Sequence, residues 1–320
     1  MTLERFVQTS VALAGVVAQI GLVAAQQPPQ NLPDPIVKEN VTVKLAAHSY
    51  VIPDGNVVLV PNIGIVVGSS ATLVVDTGMG PRNGAAVMRE VAKVSKNTRL
   101  YLVTTHFHAE HVAGIAAFPA GTVYVISRQQ QKDLDELGPD LTKRFASFSP
   151  GIGEMLKDAP VRKADVLFDR EYSVDLGGVR VKLLALGSTH TPGDTMVFVE
   201  QDRVLYAGDV VMNKVPVAFG QTSSVPVWVS VLKQLEPLKP AAIVPAHGPV
   251  GDGSLIAQQR EVFETLQARV PQLKAQGKSV DEAATTLTAE FQAKHPDWTA
   301  ANRIGGMVRS LYAADAQRNP

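Results

Sequence analysis

From residue 57 onward the chain is written in short apolar runs separated by turn residues. Residues 57–60, 63–67 and 72–75 predict consecutive strands, divided by Pro61-Asn62 and Gly68-Ser69-Ser70. Asp76-Thr77-Gly78 ends the third. Residues 83–94 carry Ala86, Val87, Val91 and Val94 at helical spacing. Strands follow at 100–104 and 123–126. The mixed, polar stretch 127–165 predicts short helices in an excursion over one face. Further strands are expected at 179–186, 195–200, 203–206 and 242–244, with a helix over 229–238. Beyond His247 the pattern becomes purely helical: 254–276, 280–291 and 299–314, with Asp281-Glu282 and Asp297-Trp298-Thr299 as starts. Strands and helices in this order predict an α/β architecture of two sheets with outer helical layers.

Composition supports one sizeable folded unit. The 320 residues are 45% hydrophobic and 19% charged. Lys+Arg and Asp+Glu balance at 30 each, which gives no electrostatic reason to expect nucleic acid or an anionic membrane as partner. There is no cysteine. Disulfides, thiolate metal sites and a cysteine nucleophile are thereby excluded, so any metal must be held by nitrogen and oxygen. Arg5, the apolar stretch 11–25 and the small residues Val23-Ala24-Ala25 predict a signal peptide over 1–25. The Pro-rich stretch that follows makes 26–40 a leader. Export to the periplasm or medium is expected, with an uncleaved membrane anchor as the alternative.

Chemistry concentrates at the strand exits. Thr105-His106-Phe107-His108-Ala109-Glu110-His111 places three of the seven histidines and a carboxylate within six positions. Imidazole and carboxylate suit zinc, ahead of iron or manganese. His106 and His108, two apart on an extended tip, point the same way. Glu110 and His111 sit where the chain turns into a helix and can serve a neighbouring position. Three later apolar runs also end in a potential ligand: His190 in Gly187-Ser188-Thr189-His190-Thr191-Pro192-Gly193-Asp194, Asp209 after Ala207-Gly208, and His247 in Pro245-Ala246-His247-Gly248-Pro249. A rigid scaffold presents groups to a cleft at such places.

Taken in order, these segments resemble the metallo-β-lactamase-fold hydrolase superfamily over roughly residues 41–250. The resemblance implies a four-layer αβ/βα sandwich of two mixed sheets, here with residues 251–320 as a helical extension. It implies His106, His108 and His190 on one zinc ion, and Glu110, His111 and His247 on a second. Asp209 would bridge the two, and Asp76 would stand behind the ligands and order the histidine loop. The family usually has Asp where this chain has Glu110, one methylene longer.

The expected function is a zinc-dependent hydrolase of a small molecule carrying an ester, thioester, lactone or lactam bond, in which zinc activates water as the nucleophile. Glu110 and Asp209 are the candidates to orient that water or shuttle its proton. An Asp at 209 is typical of thioesterase, lactonase and phosphodiesterase branches, whereas the best-known β-lactamase branches place Cys or Ser there. The alternatives are a β-lactamase-like amide hydrolase and a non-catalytic metal-binding module of the same fold. Lys214 is a candidate to grip a substrate carboxylate. Phe145, Phe148 and Met155 of the excursion are placed either as an apolar lid or against the sheet. His48 and His295 lie outside the motif segments and are expected to be structural.

Overall fold

The computed structural model describes residues 32–318 apart from 158, 161 and 221. The expected signal peptide and the first part of the leader lie outside the described residues. One sheet contains, in spatial order, β1 (Val43–Lys44), β2 (Ser49–Ile52), β3 (Ile63–Val67), β4 (Thr72–Val75), β5 (Leu100–Val103), β6 (Val123–Ser127) and β7 (Val166–Phe168). The other runs β12-β11-β10-β9-β8, from β8 (Glu171–Asp175), β9 (Arg180–Leu184), β10 (Met196–Val199), β11 (Val204–Gly208) and β12 (Ala242–Pro245). Both sheets are mixed: β4 to β7 pair in parallel, as do β11 and β12, and the remaining pairs are antiparallel.

The sheets pack face to face, and helices cover both outer faces. Along β4, Leu73 and Val75 enter the core between the sheets while Val74 enters the core beneath α1 (Gly80–Val94). All four residues of β4 are therefore buried. This explains why the sequence shows continuous apolar runs instead of a clean alternation. On the far side, Phe198, Leu205 and Ile243 meet α6 (Val225–Leu235) and α7 (Ser254–Ala275) through Trp228, Leu232, Ile256 and Phe263. The same core takes in α8 (Val280–Lys294) and α9 (Ile304–Arg318). The tail is thus the outer layer of the five-stranded sheet. Its helix α8 starts on a capping box: Ser279 accepts from the Glu282 amide at 3.3 Å, and Glu282 accepts from the Ser279 amide at 2.8 Å. Among the described residues, no helix is long and apolar enough to cross a membrane.

The remaining helices lie near the end of the sandwich where the predicted ligands sit: α2 (Ala109–Val112), α3 (Arg128–Glu136), α4 (Gly138–Ala146) and α5 (Pro150–Leu156). One predicted strand is absent. Residues 57–60 form turns, with Asn56 and Leu59 in left-handed backbone at φ 57° and 63°. Apolar content there serves burial of Val60, whose carbonyl accepts from His247 Nδ1 at 3.0 Å. Conversely β1, β2, β7 and β8 carry no expectation from the sequence pattern.

Candidate metal centre

The site is assembled at strand exits from both sheets. After β5 the chain passes Thr104 and Thr105 into the histidine loop, and α2 begins at Ala109. Asp76, directly after β4, fixes this loop. Its Oδ1 accepts from the Thr105 amide at 2.7 Å, and its Oδ2 accepts from the Thr105 hydroxyl at 3.0 Å and meets His111 Nδ1 at 2.8 Å. Asp76 does this from left-handed backbone at φ 69°, uncommon for a residue with a side chain. Thr77 Oγ1 donates to the His111 carbonyl at 2.9 Å and accepts from the Gly114 amide at 3.0 Å, which closes the other end of the loop.

His190 sits in a turn caged by Asp194. That buried carboxylate accepts from the His190 amide at 2.6 Å and from both the amide and the hydroxyl of Thr191, the latter at 2.6 Å. Thr195 N donates to Thr105 O at 2.7 Å, so this turn and the histidine loop are tied across the two sheets. Asp209 follows a register shift between β11 and β12 at Tyr206/Gly208, the kind of irregularity that re-aims a side chain. Gly208 has φ 57°, and a Cβ there would stand 2.9 Å from Thr105 Cβ. The His247 loop is held from the seven-stranded side. Asn62 donates to the carbonyls of Pro245 and Gly248, both at 2.8 Å, and Asp54 accepts from the Gly248 amide at 2.8 Å.

These tethers decide which ring nitrogens face inward. The Nδ1 atoms of His190 and His247 meet backbone carbonyls, Ala218 O at 2.8 Å and Val60 O at 3.0 Å. A carbonyl only accepts, so each Nδ1 carries the proton and each Nε2 lone pair is left for the site. His111 is oriented likewise by Asp76. His108 is reversed, with its Nδ1 3.3 Å from His190 Nε2.

The result is three overlapping donor groups whose atoms lie within 4.8 Å of one another: His106, His108 and His190; His106, His111 and Asp209; Glu110, His111 and His247. Asp209 stands between them. Its Oδ2 is 3.4 Å from His190 Nε2, and its Oδ1 is 3.9 Å from His247 Nε2. Within this centre four buried atoms have no hydrogen-bond partner among the described residues: His106 Nε2, Glu110 Oε2, His111 Nε2 and Asp209 Oδ1. A cluster of orphaned donors in so polar a place is costly unless something cationic satisfies it. Nitrogen and carboxylate donors in groups of three fit a divalent metal.

Protonation favours the same occupant. Burial holds His106 and His108 well below the ordinary histidine range, helped by the neighbouring imidazoles His111 and His190. Burial also pushes Asp209 upward, but the imidazoles His190 and His247 outweigh it and keep this carboxylate ionised below its usual range. Neutral imidazoles and an ionised carboxylate are what a metal requires of its ligands. Burial lifts the Glu110 carboxyl to about 7. Burial opposes protonation of His111, yet the adjoining Asp76 carboxylate raises it to about 9, so this imidazole must release a proton to take up a metal. A carboxylate behind a ligating imidazole raises its basicity in this way.

All seven residues expected as ligands therefore meet in one place, with Asp76 behind them. Lys214 is instead ion-paired with Asp297 of the tail at 3.1 Å. Phe145 is buried with its ring 5.9 Å from that of His108, and packs with Met79, Ala109, Ile152 and Leu156. The excursion thus braces the outside of the histidine loop. His48 lies near the Val67 carbonyl, and His295 lies against Phe291 and Trp298, both away from the centre. Sequence reasoning passed over Thr105, Asp194, Asn62 and Asp54. Asp194 was open to detection, because an Asp three and four residues after Thr191 and His190 is a common backbone-capturing arrangement.

Residues 56–247 match the metallo-beta-lactamase superfamily, and the chain belongs to that family. It is similar to an atrochrysone carboxyl ACP thioesterase of Aspergillus fumigatus, 25% identical over 182 residues that cover 56% of this chain and 35% of that protein. A linear primary-alkylsulfatase of Pseudomonas sp. is 24% identical over 208 residues, 55% of this chain and 39% of the other. The chain thus spans well under half the length of these two relatives. A metallo-beta-lactamase from Pontibacter korlensis shares the fold, with a TM-score of 0.55 at 19% identity, over 70% of this chain and 98% of that structure.

Proposed function

We propose that this chain is a hydrolase of ester-like bonds, dependent on two zinc ions, with residues 41–250 as the catalytic unit and 251–320 as its helical extension. The observation that carries the reading is Asp209, whose two oxygens face one histidine of each outer donor group. His106, His108 and His190 would hold one ion, Glu110, His111 and His247 the other, with Asp209 shared. The bound metal would supply a Lewis acid and a water of lowered pKa. Asp209 keeps the two halves of the site in register. Glu110 Oε2, buried and unpartnered, is the candidate to orient the attacking water or shuttle its proton. The partners Ala218 O, Val60 O and Asp76, which orient the rings of His190, His247 and His111, support this assignment. The thioesterase and alkylsulfatase relatives support a small acyl or sulfuryl ester as substrate. The apolar 11–25 segment supports export.

The test is metal content of the purified protein, together with turnover of thioesters, lactones, alkyl sulfates, phosphodiesters and β-lactams before and after chelation. The expected result is about two zinc ions per chain and turnover abolished by chelator and restored by zinc. Protein that takes up no metal and shows no metal-rescued turnover overturns the reading.

A further inference from the structure

Arg303 is a half-buried cation that the reaction scheme above leaves unused. It ends a short 3₁₀ turn, Ala301–Arg303, in the tail, far in sequence from every donor in the centre. The turn is tied down to the loop after Asp209. Thr299 N donates to Lys214 O at 2.9 Å, and Lys214 pairs with Asp297. Arg303 itself donates from Nη1 to the Pro216 carbonyl at 3.0 Å. Two residues further on, Ala218 O is the carbonyl that orients His190. The guanidinium is therefore held by the same loop that holds a metal-site imidazole.

Three features single it out. Among the described residues no carboxylate lies within ion-pair distance of it, whereas the other partly buried arginines, Arg162, Arg260 and Arg269, all have acidic partners. Its charge acts on Asp209 and on His247, and burial lowers its own pKa. The centre is partly open at His247, whose side chain is 20% exposed against 9% for Asp209 and 6% for His190, and at His108. A guanidinium on the loop that orients His190, with one of its five donors spent on a carbonyl, has the free fork that matches a carboxylate or sulfate.

We propose that Arg303 is a specificity-determining residue that receives an anionic group of the substrate, a carboxylate or a sulfate, beside the metal centre. This rests on the hydrolase reading for its location, but the anion subsite is measurable without turnover. Lys214, the sequence candidate for this task, has its charge engaged by Asp297. The tail accordingly contributes to substrate choice in addition to covering the five-stranded sheet.

The experiment compares wild type, Arg303→Lys and Arg303→Met, all checked for folding by circular dichroism. The metal-loaded enzymes are assayed on mono-p-nitrophenyl glutarate and on p-nitrophenyl valerate, its neutral counterpart. The expected result is an anionic-over-neutral ratio of kcat/KM that falls by about tenfold or more in Arg303→Met and is partly kept in Arg303→Lys. Loss of metal or of general activity affects both esters and leaves that ratio in place. In parallel, glutarate and methyl sulfate are titrated calorimetrically into each protein, which assigns the subsite to carboxylate or to sulfate. Weaker anion binding in Arg303→Met with no turnover in any form would uphold the subsite and sink the hydrolase reading. Unchanged ratios and unchanged anion affinities across the three proteins would overturn the proposal.

Discussion

Replacing Asp76 by Asn tests how far the metal centre depends on a residue that would not itself touch the metal. The substitution is nearly isosteric, and Asn tolerates the left-handed backbone at φ 69° that position 76 requires. What changes is one acceptor. Asp76 Oδ1 serves the Thr105 amide at 2.7 Å and Oδ2 serves His111 Nδ1 at 2.8 Å. With its oxygen kept toward Thr105, the amide presents an NH2 to His111. The imidazole must then accept at Nδ1 and carry its proton on Nε2, the atom that faces the centre. With the amide reversed, the Thr105 N–H is buried against a donor, at about 1–3 kcal/mol. The lost charge-assisted bond is itself worth about 1.5–3 kcal/mol, or about 10–150-fold in an equilibrium constant. Partners of this kind typically change metal affinity by about 10–100-fold. Asp76→Asn is therefore expected to weaken zinc binding by about 10–100-fold in competition with a fluorescent chelator, with an unaltered far-ultraviolet spectrum. Zinc affinity within about twofold of wild type, in a variant that folds normally, would refute the reasoning.

Three further outcomes are expected. Glu110→Gln keeps volume but removes a ligating, proton-exchanging carboxylate, so kcat should fall by about 100-fold or more and zinc drop toward one per chain; full rate with two ions retained would exclude that role. Gly248→Ala should reduce zinc content and thermal stability together, because φ is 94° and the added Cβ would meet Asn213 O at 2.4 Å; a variant with normal zinc content and melting temperature contradicts this. Asp133 is buried behind the His190 turn, and burial raises its carboxyl from 3.8 to about 6. A raised acid penalises the folded state only where the group ionises, so the cost is absent well below pH 3.8, small at pH 4 and essentially complete by pH 8. Asp133→Asn should then stabilise the protein by about 1–3 kcal/mol at pH 8 and by little at pH 4; equal shifts at both values in denaturant melts count against it.

The centre was legible because most of its candidate ligands follow buried strands. Runs such as 72–75, 100–103 and 204–207 are apolar on both faces, so the first polar residue after each is conspicuous and faces the end of the sandwich. The missed strands have the opposite character. β8 reads Glu-Tyr-Ser-Val-Asp with only Val174 buried, and its pairing with β9 at the sheet edge leaves no apolar signature. Residues 57–60 misled for the converse reason: they are apolar because Val60 is buried, while left-handed residues at 56 and 59 turn the chain. The supports of the site were hidden for a different reason. Asn62 and Asp54 act 183 or more residues away in sequence, and only the docked sheets bring them to the His247 loop. In the tail Val262, Leu266, Val270 and Leu273 have the spacing of a packed helix face and are buried, but periodicity carries no sign of where Arg303 lands.

The division of the donors between two sheets has a consequence for how the molecule is put together. His106, His108, Glu110 and His111 follow β5, whereas His190, Asp209 and His247 follow strands of the other sheet. Neither half on its own offers a complete set for either outer group. An ion held by either outer group would therefore be shared between the two sheets. Once seated, the ion is a rivet through the sandwich: prising the halves apart means expelling it. Resistance to unfolding then becomes a function of how much free metal surrounds the protein, by simple mass action on the folded form.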